Sequence, residues 1–169
     1  MAKRERRQPA PGEFIDPLSN YDPQEFEDDF ERSLVEDNIT SIPHEDYLTL
    51  NQAVSVSDAL KAMAAANNAC VVVVDDNEKP VGMFSERDVL VRVVDDYQAV
   101  KDKPLTEMMS PEPVVVHTDE SPARALNIMV TGGFRHVPVL DESDRVVGMV
   151  GARRVTAYLE RFFPEAESH

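Results

Sequence analysis

The sequence has no tryptophan, one cysteine (Cys70) and only six glycines in 169 residues. With a single thiol the chain cannot form an internal disulfide, and a cytoplasmic setting is the expectation. Six glycines against twelve prolines exclude collagen-like and glycine-rich low-complexity character. Long apolar runs are missing as well. The longest, Ala69-Cys70-Val71-Val72-Val73-Val74, falls far short of the ~20 residues a membrane helix needs. No apolar stretch follows the basic start Met1–Arg7, so neither a signal peptide nor a stop-transfer segment is expected. Basic residues are scarce: 17 Lys and Arg stand against 32 Asp and Glu, for a net charge of −15. That field opposes general binding to nucleic acid or to an anionic membrane. Any bound phosphate must be held by a local basic cluster. What remains, 42% hydrophobic and 29% charged residues, is the composition of a globular protein.

Charge is unevenly spread. Residues 1–12 carry +3 and residues 13–37 carry −9, with Arg32 the lone base of the second stretch. The first twenty residues are polar and without periodicity and read as a flexible tail, dispensable for folding. Asp22-Pro23 reads as a helix cap and first helical position, with Phe26, Phe30 and Leu34 at helical spacing. A short acidic amphipathic helix over Pro23–Val35, docked on the body, is expected.

The body repeats itself. Sliding the sequence by 66 residues aligns 47–95 with 113–161 without a gap and gives twelve identities in 49 positions. Among them are Ser55/Ser121, Met63/Met129, Asp75/Asp141, Gly82/Gly148, Met83/Met149 and Arg87/Arg153. Each unit has an extended run (Tyr47–Leu50, Pro113–Val116) and a helix start at Ser55 or Ser121, where Ser121-Pro122 is the clearer cap. Asn67-Asn68 and Gly132-Gly133 end these helices. Two strands follow, Val71–Val74 and Val81–Phe84, or Val137–Leu140 and Val146–Val150, joined by polar turns. A last helix puts Val89, Leu90 and Val93 on one face, as Val155, Tyr158, Leu159 and Phe162 do in the second unit. The pattern is β-α-β-β-α, twice. A unit of about 60 residues buries too little surface to stand alone comfortably, so the two are expected to pair through their sheets. The division is residues 1–37 as tail and helix, 38–97 as unit one, 98–103 as linker, 104–163 as unit two and 164–169 as C-terminal tail.

Three features carry a family resemblance: the string Gly82-Met83-Phe84-Ser85-Glu86-Arg87-Asp88, the string Phe134-Arg135-His136-Val137-Pro138-Val139, and the duplicated register. Residues 38–163 resemble a tandem pair of cystathionine β-synthase (CBS) domains, a Bateman module. The resemblance implies an α/β (α+β) fold of two β-α-β-β-α CBS units in a pseudo-twofold pair, with two clefts between them. It also implies a binding module for adenine nucleotides or S-adenosylmethionine that often dimerises into a flat disk.

The chemistry of the first motif fits a nucleotide. Asp88 is an acceptor-only carboxylate suited to a ribose diol, and Ser85 can bond sugar or phosphate. Equally, Ser85 as N-cap with Asp88 at the third helical position is an ordinary helix start that needs no ligand. By the resemblance, the first cleft joins Met83, Ser85 and Asp88 to Pro113, Val114 and Val115, and to Arg135, His136 and Pro138. Val114 and Val115 would sandwich the base. Arg153 is either a phosphate contact or a solvated surface charge, and His136 either a ligand contact or a satisfied strand residue. The second unit departs from the pattern: Gly151 and Arg154 stand where Ser85 and Asp88 do. A ligand is therefore expected in the first cleft only.

The four histidines show no metal-ligand spacing with one another or with Cys70, and no nucleophile elbow, Walker loop or Gly-x-Gly-x-x-Gly string occurs. Cys70 reads as a buried small residue. No enzymatic activity, metal or required cofactor is expected. The leading expectation is a non-catalytic regulatory or sensor module. It would bind an adenosine-containing ligand (AMP, ADP or ATP, or one of the S-adenosylmethionine class) in one cleft and signal through homodimer or partner geometry. The alternatives are a ligand-free dimerisation and interaction scaffold, and an ionic-strength or divalent-cation sensor based on the acidic run Glu25, Glu27, Asp28 and Asp29.

Overall fold

A computed structural model describes residues 25–163. The chain begins with helix α1 (Asp29–Glu36) and a 3-10 turn at Ile39–Ser41. Strand β1 (Thr49–Asn51), helix α2 (Val56–Ala66) and strands β2 (Cys70–Val74) and β3 (Pro80–Ser85) follow. A broken helical stretch comes next: α3 (Glu86–Asp88), a π turn at Val89–Val93, a 3-10 turn at Val94–Asp96 and α4 (Tyr97–Val100). A 3-10 turn at Leu105–Glu107 and strand β4 (Ser110–Pro111) lead to the second unit. That unit has β5 (Val116–His117), α5 (Pro122–Gly132), β6 (His136–Leu140), β7 (Val146–Gly151) and α6 (Ala152–Glu160). In each sheet the short first strand runs parallel to the second, and the second pairs antiparallel with the third. No helix among the described residues is long and apolar enough to cross a membrane.

The duplicated sequence makes duplicated local chemistry. Asp75 accepts hydrogen bonds from the backbone N–H of Asn77 (2.8 Å) and Lys79 (2.9 Å), and Asp141 from Ser143 (2.8 Å) and Arg145 (3.0 Å). Glu78 and Asp144 take positive φ, 64° and 60°, at the same turn position. The turns then reach across to each other. Lys79 pairs with Asp144 at 3.0 Å and Arg145 with Glu78 at 3.9 Å. These two pairs exchange places under the 66-residue offset, which makes the pseudo-twofold visible at the level of single side chains. Between the sheets, Cys70, Val72 and Val74 of β2 bury themselves against Met149, with Met83 and Val146 alongside.

Repeat boundaries and packing boundaries differ. Ile39 and Ile42, which precede the first unit's strands, are buried with Val116, Ala125, Val137 and Tyr158 in the second unit's core. Reciprocally, Val100, Leu105 and Met109 are buried with Val56, Met63, Val71 and Phe84 in the first. The backbone follows the same exchange: Ile39 N–H donates to Glu120 O (2.7 Å) and Leu105 N–H to Val54 O (2.9 Å). Residues 98–103 therefore act as part of a core-bearing segment. Helix α1 belongs to the same exchange, since the fully buried Tyr158 places its hydroxyl 2.7 Å from Ser33 Oγ and Phe30 packs on Phe162 at 5.4 Å between centroids.

Three local expectations are corrected. Helix α1 starts at Asp29, capped by the Asp28 carboxylate accepting from Glu31 N–H, and residues 25–28 are not helical; Asp22-Pro23 and the tail lie outside the described residues. Ser55 caps α2 through its side chain, whereas Ser121 makes no such bond and α5 starts on Pro122 alone. Leu90 does not share the buried face of Val93: the π turn rotates it outward, and Leu90 and Val91 are each 69% exposed.

Ile39 is fully buried in a core it reaches only through the exchange. Ile39→Ala should lower stability in urea by about 2–5 kcal/mol, as for other large-to-small core changes. A loss below about 0.5 kcal/mol, the surface range, would show that the exchanged segment is not structural.

Candidate functional site

Strand register decides where the motifs meet. Ser85 lies opposite Cys70 and Gly151 opposite His136, so the two motif strands end beside the starts of their neighbours. The hairpin turns, cross-linked by Lys79–Asp144 and Arg145–Glu78, occupy the other end of the sheets. A hollow of about 520 Å3 lined by Asp76, Asn77, Glu78, Lys79, Ser143 and Arg145 lies there, away from the motifs.

At the first motif Asp88 is 7% exposed and its carboxylate is well supplied with donors. Oδ2 accepts from Ser85 N–H (2.9 Å) and Ser85 Oγ (2.6 Å), and Oδ1 from Ser110 Oγ (2.9 Å). With Asp88 N–H donating weakly to Ser85 Oγ (3.4 Å), the capping box is complete. Arg92 Nε stands 3.8 Å from Oδ1, and its Nη1 donates to the carbonyls of Met109 (2.5 Å) and Met108 (3.2 Å). Asp88 thus ties the motif helix to the exchanged segment. A carboxylate offers about four lone-pair positions, and three are in use, so a diol entering here must displace one internal hydroxyl.

Strand β4 lies on the open side of β3, with Ser110 opposite Met83, and β5 pairs with β6 at Val116–Val139. Pro113, Val114 and Val115 therefore bridge from the edge holding Asp88 to the strand that begins at His136. Val114 is exposed at 41%. Pro138 is buried on β6 opposite Met149. Met83 is half-buried at the sheet-to-sheet contact. Arg135 and Arg153 are exposed, and neither side chain has an ionic partner among the described residues. His136 stands near a carboxylate: its Nε2 is 3.7 Å from Glu45 Oε2.

The second motif is built differently. Glu45 N–H donates to Met149 O at 2.8 Å, so Glu45 stands beside Met149 as Ser110 stands opposite Met83. That is one residue out of the 66-residue offset. His44 packs on Gly148 and the Glu45 carboxylate on Gly151, each where an added Cβ would collide. Burial lowers the pKa of His44, whose Nε2 is buried without a hydrogen-bond partner among the described residues. Sequence reasoning missed Ser110, Arg92, His44 and Glu45. The first two carry no motif, and the last two lie where the offset slips by one residue.

The CBS domain family matches the chain twice, over residues 39–95 and 105–161. A CBS domain-containing protein of Arabidopsis thaliana is 29% identical over 97 residues, which cover 57% of this chain and 18% of that protein. The chain thus spans less than a fifth of that relative. Among solved structures, a CBS-domain containing protein from Agrobacterium tumefaciens superposes with a TM-score of 0.59 at 28% identity, covering 66% of this chain and 88% of that one. The cytosolic domain of the Mg2+ channel MgtE, solved in complex with ATP, superposes with a TM-score of 0.56 at 28% identity, over 66% of this chain and 44% of the other.

Cys70, 6% exposed at the first motif's strand, has its thiol pushed up to about 12, first by burial and then by the Glu45 and Glu86 carboxylates. Iodoacetamide at about pH 8 should therefore leave the folded protein unmodified and label it readily once unfolded, because the thiolate is the nucleophile. Rapid labelling of the native protein would contradict this placement of Cys70.

Proposed function

The chain belongs to the CBS-domain family, and we propose that it is a non-catalytic regulatory module that binds an adenine nucleotide in the cleft containing Asp88. The observation that carries this reading is the state of Asp88: a nearly buried carboxylate at the motif end, beside the open Pro113–Val115 bridge. The ribose diol would take two acceptor positions of that carboxylate, displacing the Ser110 or the Ser85 hydroxyl. Val114 and Val115 would flank the base. Arg135, without an ionic partner among the described residues, would meet the phosphate, with Arg153 as a further cation, while His136 stays with the Glu45 carboxylate 3.7 Å away. The ATP-bound MgtE domain, 28% identical, supports the ligand class. AMP, ADP and ATP differ only in how much charge these cations must meet.

Output would pass through a second copy or a protein partner. Leu90, Val91 and Val94, exposed at 69%, 69% and 55%, lie on the turns that follow Asp88 and offer a second copy an apolar contact. A ligand can shift such an equilibrium only by its differential affinity for the two states. The contacts of Asp88 also favour a second reading, a ligand-free dimerisation scaffold. Its three internal donors, two from the Ser85 cap and one from Ser110, supply the carboxylate without a ligand.

Titration calorimetry with AMP separates the readings. Asp88→Ala should weaken AMP binding by about 1.5–3 kcal/mol, the range for a hydrogen bond to a charged group. It should also lower stability by about 1 kcal/mol through loss of the cap. A stability loss with unchanged affinity would leave Asp88 a cap only. Arg135→Ala should weaken AMP while leaving adenosine unaffected, because only AMP carries the phosphate; equal losses for both would remove Arg135 from the phosphate site.

A further inference from the structure

By sequence the second motif has lost its carboxylate, since Arg154 stands where Asp88 does, and Arg154 is exposed. The structure supplies another from a different element. Glu45, on the segment ahead of β1, is fixed beside Met149 by its backbone bond, and its side chain lies flat on Gly151. A Cβ at Gly151 would overlap both carboxylate oxygens and the carboxyl carbon of Glu45. His136 Nε2 is 3.7 Å from Oε2, and the Glu45 side chain is only 22% exposed. The charge of Glu45 also reaches Cys70, on the facing sheet, where it helps to keep the thiol protonated. The carboxylate therefore stands over Gly151 and beside His136, which face each other on β7 and β6.

The two units differ here in a matched pair of positions. In the first, Ser85 carries a side chain and the neighbouring segment offers the small neutral Ser110. In the second, Gly151 has no side chain and the segment offers a long acid. The glycine makes the room that the acid fills. A Ser at 151 with Glu45 in place would put two side chains in one volume.

Building on the nucleotide reading, we propose that Glu45 sets the ligand class of the second cleft: the negative charge that its carboxylate holds over Gly151 shuts out phosphate-bearing ligands. A partly desolvated carboxylate repels an incoming phosphate over a few ångströms far more strongly than it would in water. The imidazole of His136 is the only basic side chain within 4 Å of it among the described residues. The chain then takes one nucleotide per copy because one of its two clefts already holds an anion of its own.

The test is calorimetric titration of the full chain with AMP. Wild type should bind one AMP. Glu45→Ala should bind two, the second at least about tenfold weaker than the first, the effect of the ribose carboxylate missing at Arg154. Glu45→Gln, which keeps the bulk and the backbone bond, serves if Glu45→Ala does not fold, and should likewise gain a second, weak site. Wild type binding two AMP, or variants that stay at one, would overturn the role of Glu45 while leaving the first cleft standing. Wild type binding no AMP would instead overturn the nucleotide reading on which it rests.

Discussion

Each half of this molecule is closed by a segment that belongs, by sequence, to the other half. Ile39 and Ile42 complete the second core; Leu105 and Met109 complete the first. Neither β-α-β-β-α unit buries enough surface alone, and the exchange makes the two cores interdependent. It also places the proposed site. Because the chain crosses from one sheet edge to the other on its way between units, Pro113–Val115 spans the opening between Asp88 and the β6 start, and Glu45 arrives over Gly151 by the twofold-related path.

The same scaffold is used asymmetrically. At the first motif, Asp88 gathers Ser85, Ser110 and, at longer range, Arg92. At the second, the position of Arg92 is held by Tyr158, which bonds Ser33 in place of any motif carboxylate. The helices reflect this difference. Helix α6 runs regularly over Ala152–Glu160, whereas the corresponding stretch after Asp88 breaks into π and 3-10 turns and exposes Leu90, Val91 and Val94. Local π geometry often marks a functional position, because one extra residue in a turn is costly unless something else holds it. Here Arg92 is tied to the carbonyls of Met108 and Met109.

Much of the fold was legible because the residues that set it are short-range. Asn67 in the left-handed region, the Asp75 and Asp141 turns, and the continuous burial of the apolar strand β2 follow from local chemistry that the sequence displays directly. The family resemblance, drawn from the motif strings and the repeat, holds in the CBS match over both units. What could not be read was the choice among local backbone geometries and the long-range pairing. The start of α1 depends on Asp28 finding Glu31 N–H, not on the Asp-Pro pair upstream. Leu90 faces out because the helix changes its hydrogen-bonding register, which side-chain periodicity cannot show. Glu45 was invisible because the offset of 66, exact in the motifs, slips by one residue where the exchanged segment meets β7. The donors to Asp88 were half legible: Ser85 by spacing, Ser110 only by the pairing of β4 with β3.

The central claim, that Asp88 marks a nucleotide cleft in the first unit and Glu45 closes its counterpart, is tested most directly by a crystal structure of the protein grown with AMP. The account predicts one AMP per chain, its ribose hydroxyls within hydrogen-bond distance of the Asp88 carboxylate and the Glu45 carboxylate still over Gly151. AMP lying over Gly151 with Glu45 swung away, or crystals whose motif ends hold no nucleotide at saturating AMP, would contradict it.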